Sequence, residues 1–204
     1  MVLGDVIRSF PTPWTDTPGA LEFDGKYLWN TDGVNVYQID PVTGAMLRSF
    51  ALPNQTGGIM FDGKDLYIVR TAIATISQVD PVSGAIKRSF GVPVGTLCIV
   101  FDGKSLWASN DVTRLIYQIN PLTGAIIRSF GDPTTQARGL TFDGKYLWWI
   151  GAGTDRCYQI DPVTGAVLIS FAVPTIYTWG LTFDGKNFYM TDPTADLIYY
   201  ISRT

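Results

Sequence analysis

Apolar and polar residues alternate with a period of two along most of the chain, in runs too short for anything but strands. "GLTF", "KYLWW", "CYQID" and "AVLIS" are typical. They are rich in aromatic and β-branched residues, and none places apolar residues at a spacing of 3.6. This pattern predicts β-strands and no amphipathic helix. Turn signals separate the runs. Asp-Gly between two apolar stretches predicts a hairpin with a type I′ turn, in which both central residues take positive φ. "DPVTGA" predicts a longer turn, with Pro fixing one φ and Gly supplying a left-handed position.

The pattern is also periodic on a longer scale. "FDGK" begins at Phe23, Phe61, Phe101, Phe142 and Phe183, spacings of 38, 40, 41 and 41 residues. Each unit reads as four strands, here A to D, and four short antiparallel strands in about 40 residues make a propeller blade. The last unit stops at "IYYISRT" without a strand D, and "GDVIRSF" at Gly4–Phe10 matches "GAMLRSF" at Gly44–Phe50. The expected fold is therefore an all-β, five-bladed β-propeller with four antiparallel strands per blade. Its N-terminal strand completes the C-terminal blade and closes the ring, which removes exposed sheet edges. The expected blades are 11–50, 51–90, 91–130, 131–171, and 172–204 together with 1–10, in one domain.

The blade sequence "LTFDGKYLW…YQIDPVTGAV" resembles the repeats of bacterial propellers of the NHL and YVTN type. It is also similar to the blades of the five-bladed glutamine cyclotransferase (glutaminyl cyclase) group. The resemblance implies the fold. For activity it implies a cyclase, whose members carry a Glu-Gly pair entering an inner strand; this chain contains no Glu-Gly.

Composition narrows the function classes. Net charge is −3, and the basic residues recur once per repeat instead of clustering, which argues against a nucleic-acid partner. No run of 18 apolar residues is present, so no transmembrane helix is expected, and "MVLGDVIRSF" lacks the layout of a signal peptide. A soluble monomer is expected, in a compartment the sequence does not name. Cys98 and Cys157 fall at non-equivalent repeat positions and read as free buried thiols, not a disulfide. The chain has no histidine, which removes a His-based triad and the commonest transition-metal ligand. No metal and no cofactor is expected.

Comparing the five copies sorts scaffold from free positions. The strand B aromatics Trp29, Tyr67, Trp107, Trp148 and Tyr189 share one column and read as packing between blades. The Asp of "FDGK" reads as turn chemistry, since one carboxylate per turn makes no calcium site. Arg8, Arg48, Arg88 and Arg128 share a strand D column, with Ile169 in the fourth unit, and are expected to be solvated charges. Successive strands run in opposite directions, so the A–B and C–D turns lie at one end of the ring and the B–C and D–A loops at the other. All variation in length falls on the second end, as does the divergence among "PTPWTDTPG", "ALPNQTGG", "GVPVGTLC", "GDPTTQARG" and "AVPTIYTWG". Binding residues concentrate on loops held by a rigid scaffold.

The candidate ligand-binding residues are Trp14, Asp16, Gln55, Arg70, Asn110, Gln136, Arg138, Tyr177 and Trp179. Asp32, Asp155 and Asp192 are their neighbours on the B–C loops. This mixture of aromatic, amide and charged groups suits a small molecule, a glycan or a protein. Glu22, the chain's one glutamate, stands where the other units have Met60, Val100, Thr141 and Thr182. It is a weak candidate for a general acid or base. The leading expectation is a non-enzymatic binding propeller that uses the loop-rich end for a carbohydrate or peptide. The alternatives are a glutaminyl cyclase-like enzyme centred on Glu22 and a purely structural ring produced by recent repeat amplification or engineering.

Overall fold

Each unit folds as an antiparallel four-stranded meander, because its turn residues sit where the chain must reverse. A computed structural model describes residues 2–12, 19–54, 56–134 and 136–203. Strand β1 is Val6–Pro11. Blade 1 contains β2 (Leu21–Phe23), β3 (Leu28–Thr31), β4 (Asn35–Ile39) and β5 (Met46–Ala51). Blade 2 contains β6 (Thr56–Phe61), β7 (Leu66–Arg70), β8 (Thr75–Val79) and β9 (Ile86–Gly91). Blade 3 contains β10 (Thr96–Phe101), β11 (Leu106–Asn110), β12 (Leu115–Ile119) and β13 (Ile126–Gly131). Blade 4 contains β14 (Ala137–Phe142), β15 (Leu147–Gly151), β16 (Arg156–Ile160) and β17 (Val167–Ala172). Blade 5 contains β18 (Leu181–Phe183), β19 (Phe188–Asp192) and β20 (Leu197–Ile201), with β1 as its outer strand.

The five sheets stand round an axis. The inner strands β2, β6, β10, β14 and β18 neighbour one another in sequence, and β18 returns to β2. The structure is thus the closed five-bladed propeller that the repeat implies. Closure copies an ordinary C–D turn across the two chain ends. In blade 1, Asp40 N donates to Ala45 O and Gly44 N to Asp40 O, both at 2.9 Å. In blade 5, Ser202 N donates to Asp5 O and Gly4 N to Ser202 O, also at 2.9 Å. The same ladder forms although no peptide bond joins its two halves.

The "FDGK" turn differs from the type I′ expectation. Gly25 has φ +95°, but none of the "FDGK" aspartates has positive φ. The reason is the aspartate side chain. Asp24 Oδ1 accepts the amides of Lys26 and Tyr27 at 2.8 and 2.7 Å, making an Asx turn that leaves Asp24 in an ordinary conformation. The second oxygen has a different duty. Asp24, Asp102 and Asp143 Oδ2 accept the indole N–H of Trp29, Trp107 and Trp148, each at 2.7 Å.

Those indoles face the following blade and form the core. Trp29, Trp107 and Trp148 are each 1% exposed, and Tyr67 and Tyr189 are also buried. Packing is therefore the role of this column, as expected. The arginine column, by contrast, is not simply solvated. Arg8 donates to Pro41 O at 2.7 Å and Arg88 to Pro121 O at 2.9 Å; Arg48 reaches Val82 O and Arg128 reaches Pro162 O. Each guanidinium thus latches its blade to the C–D turn of the next, while Arg48 and Arg128 also lie 5.2 Å from the Trp29 and Trp107 rings. Blade 4 carries Ile169 instead, and there Arg203 of blade 5 reaches back to Asp143.

Candidate functional site

The ring's centre is nearly filled. Small residues after the start of each inner strand allow close approach: a Cβ on Gly58 would lie 2.6 Å from Leu97 O, and one on Gly180 would lie 2.8 Å from Gly19 O. The cavity left on the axis is about 10 Å³, room for little more than one water. Ligand-sized space opens instead at the loop-rich mouth. One cleft of about 320 Å³ is lined by Asp32, Thr71, Leu97, Arg138 and Trp179. A second, of about 440 Å³, lies between blades 4 and 5 and is lined by Gln136, Arg138, Ile176, Tyr177, Trp179 and Thr194.

Local chemistry shapes the second cleft. In the blade 4 to blade 5 loop, Thr175 Oγ1 accepts Tyr177 N at 3.1 Å, and Thr178 Oγ1 donates to Thr175 O at 2.9 Å. Thr178 is thereby buried, while Ile176, Tyr177 and Trp179 point outward at 45%, 56% and 39% exposure. Trp179 N is held by Thr191 O at 3.0 Å. Across the gap the Arg138 guanidinium stacks over the Trp179 ring at 4.0 Å. Among the described residues no carboxylate lies within ion-pair distance of Arg138. The result is an apolar wall with one cationic plane on it. Gln136 stands beside them in a left-handed conformation, φ +58°, exposed to solvent.

The structure brings Gln136, Arg138, Tyr177 and Trp179 together. It places two other candidates differently. Asn110 is fully buried, donates to Val94 O at 2.9 Å and accepts the amides of Val112 and Thr113. Arg70 is 9% exposed and donates to Pro53 O at 3.1 Å. Both hold loops from within. Asp32 and Asp192 act similarly. Burial opposes ionisation of Asp32, but bonds from Asn35 and Tyr37 hold its carboxyl below the usual range. Burial likewise opposes ionisation of Asp192, whose carboxyl bonds from Thr194 hold low. Trp14, Asp16 and Gln55 lie outside the described residues. Sequence reasoning missed Ile176 and Thr194. The signal for Ile176 was an apolar residue in an exposed loop, shared only with Val94 at the same distance from the strand A Phe of unit 3.

Glu22 lies in the inner wall, away from both clefts. Its Oε1 accepts Phe61 N of blade 2 at 3.1 Å, and its Oε2 accepts Thr182 Oγ1 of blade 5 at 3.2 Å. The residue as a whole is half-buried, but the carboxyl group is enclosed, and burial pushes it up to about 8. Thr182 makes the corresponding contact one blade earlier, accepting Phe23 N at 3.0 Å. A folded value of about 8 lies above the ordinary 4.5, so folded protein keeps a proton that the unfolded chain releases. The stabilisation is complete at acid pH and is lost as pH rises from 4.5 through 8. Melting temperature should fall over that interval, and Glu22→Gln should flatten the fall. Parallel profiles for the two proteins would mean that Glu22 does not hold the proton.

No family model matches the chain, and no curated protein matches it in sequence. Solved structures do resemble it. Glutaminyl cyclase from Myxococcus xanthus superimposes with a TM-score of 0.84 at 15% identity, covering 97% of this chain and 94% of that one. The β-propeller domain of Cps50 (Swd1) from Myceliophteria thermophila gives 0.59 at 14% identity, covering 92% and 83%. Virginiamycin B lyase from Staphylococcus aureus gives 0.56 at 21% identity, covering 91% and 66%. At these identities the likeness is one of architecture: the chain is built as a five-bladed β-propeller.

Proposed function

We propose that this protein is a non-enzymatic binding propeller, acting as a monomer, whose loop-rich end grips a carbohydrate or a peptide in the cleft between blades 4 and 5. The observation that carries this reading is the stack of Arg138 on Trp179 beside exposed Tyr177 and Ile176. Exposed aromatic faces suit a sugar ring or an apolar side chain, and a guanidinium already held flat suits a carboxylate or carbonyl. The volume of about 440 Å³ falls in the range of small-ligand sites. A glycan and peptide panel read by thermal shift would find the ligand. Trp179→Ala should then weaken binding about 30-fold, the effect of losing an aromatic anchor worth about 2 kcal/mol. Because Trp179 is 39% exposed, the melting temperature should move little. Unchanged affinity in both Trp179→Ala and Arg138→Ala would refute the cleft.

A second reading makes the ring an enzyme of the cyclotransferase kind centred on Glu22. The raised carboxyl value favours it. The protein donors on both carboxyl oxygens favour instead a strut between blades. Glu22→Gln separates the two readings, since it would abolish carboxylate-dependent turnover and leave rim binding intact.

A further inference from the structure

The five blade interfaces repeat one arrangement, and one of them departs from it. In blades 1, 3 and 4 an indole N–H from the strand B aromatic caps Oδ2 of the "FDGK" aspartate at 2.7 Å. Blade 5 has Tyr189 in place of Trp, but Tyr200 takes over, donating from its hydroxyl to Asp184 Oδ2 at 2.8 Å. Tyr200 stands where the other units have Gln38, Gln78, Gln118 and Gln159.

Blade 2 has neither device. Its strand B aromatic is Tyr67, its strand C residue is Gln78, and Gln78 donates to Asp65 instead, at 2.7 Å. Asp62 Oδ1 makes the usual Asx turn with the amides of Lys64 and Asp65, whereas Oδ2 has no donor among the described residues. The guanidinium has shifted too. Arg48 and Arg128 sit over indoles, whereas Arg88, held by Gln78 and the Pro121 and Leu122 carbonyls, lies 5.8 Å from the Phe90 ring and reaches the Tyr67 hydroxyl at 3.3 Å. A cleft of about 190 Å³ opens there, lined by Asp62, Tyr67, Arg88, Phe101, Leu106 and Pro121. Its wall is apolar, and a single carboxylate stands in the position that accepts an indole N–H in three sister blades.

We propose that this cleft between blades 2 and 3, on the turn end of the ring and opposite the loop-rich face, is a binding site for an indole-class ligand, a small planar aromatic ring bearing an N–H donor. The ring would lie against Tyr67, Phe101 and Leu106 with its N–H on Asp62 Oδ2, restoring the contact that the sequence of blade 2 omits. A cavity of about 150 Å³ lined by apolar side chains suffices for a benzene-sized ring, so the space is adequate. Arg88, which also lines the cleft, would gain an indole face of the kind that Arg48 and Arg128 have in place of its more distant contact with Phe90.

Titration with indole, followed by ¹⁵N-resolved NMR, tests this. Saturable shifts are expected at Asp62, Tyr67 and Leu106, with a Kd of about 0.1–1 mM for so small a ligand. With 1-methylindole, which lacks the donor, affinity should fall about tenfold. Tyr67→Trp fills the cleft from within; it should abolish indole binding and raise the melting temperature by about 2–4 °C. N-acetyl-tryptophanamide distinguishes the ligand's source: its binding extends the site to a tryptophan side chain in a peptide, and its exclusion confines the site to free indoles. Absence of saturable shifts with indole, equal affinity for 1-methylindole, or undiminished binding by Tyr67→Trp would each overturn the proposal. The methylindole comparison uses the unaltered protein, so a variant that fails to fold does not spoil the test.

Discussion

Trp107→Ala is expected to lower stability by about 3–5 kcal/mol, the cost of removing a large buried aromatic and leaving a cavity. Trp107 is 1% exposed and packs with Cys98, Val100, Leu140 and Leu147, so it joins blade 3 to blade 4. Phe130 meets its ring at 5.7 Å and the Arg128 guanidinium covers it at 5.2 Å. Its N–H also caps Asp102 Oδ2 at 2.7 Å, and that cap is lost with it. Trp107→Phe separates the contributions. It retains most of the apolar contact but leaves Asp102 without its indole donor, for which about 1.5–3 kcal/mol is expected. Urea unfolding of the two variants measures both. A loss below about 1 kcal/mol for the alanine variant would show that the interface closes over the gap and that this column does not set the ring's stability.

The architecture was legible because its causes are local and repeated. Asp, Gly and Pro at fixed offsets dictate turns, alternation dictates strands, and the match of Gly4–Phe10 to Gly44–Phe50 dictates closure. What escaped the sequence depends on contacts between blades. The arginine column looked like solvated charge because its partners are backbone carbonyls, such as Pro41 O for Arg8, which leave no mark on composition. Asn110 and Arg70 looked like rim chemistry because a buried amide that caps its own loop reads the same as one facing a ligand. Arg138 and Trp179 were legible as candidates because they lie on the divergent loop-rich end. Their stacking could not be read, since it requires knowing that blades 4 and 5 bring the two positions within 4.0 Å. The substitution of Tyr67 for Trp was visible throughout. Its consequence needed the position of Asp62 and the absence of a second tyrosine like Tyr200.

Removing residues 1–11 is expected to open the closed ring and make the protein aggregate. β1 pairs with β20 from Val6 opposite Ile201 to Pro11 opposite Leu197, so the deletion bares the whole outer edge of β20. That edge carries Ile198, Tyr199 and Tyr200, and unpaired strand edges template association. The core loses Phe10, which is 7% exposed and packs with Leu21, Ile39, Tyr189 and Ile198. Blade 5 also loses its latch, because Arg8 bonds Pro41 O at 2.7 Å and the Tyr189 hydroxyl at 3.0 Å. A circular permutant controls for the disturbance of cutting the chain. Linking the C-terminus to Val2 and opening the chain between Thr123 and Gly124 keeps every strand and moves only the break. The new break falls in a C–D turn of the kind that blade 5 already forms without a peptide bond, where Gly4 N meets Ser202 O at 2.9 Å. The permutant should keep the parent's circular dichroism and elution volume, whereas the deletion should shift to the void volume on size exclusion. A synthetic peptide of residues 1–12, added during refolding, should restore the parent's elution volume by re-forming the β1–β20 ladder. If the deletion protein elutes and melts like its parent, β1 is an accessory strand and four complete blades hold the fifth without it.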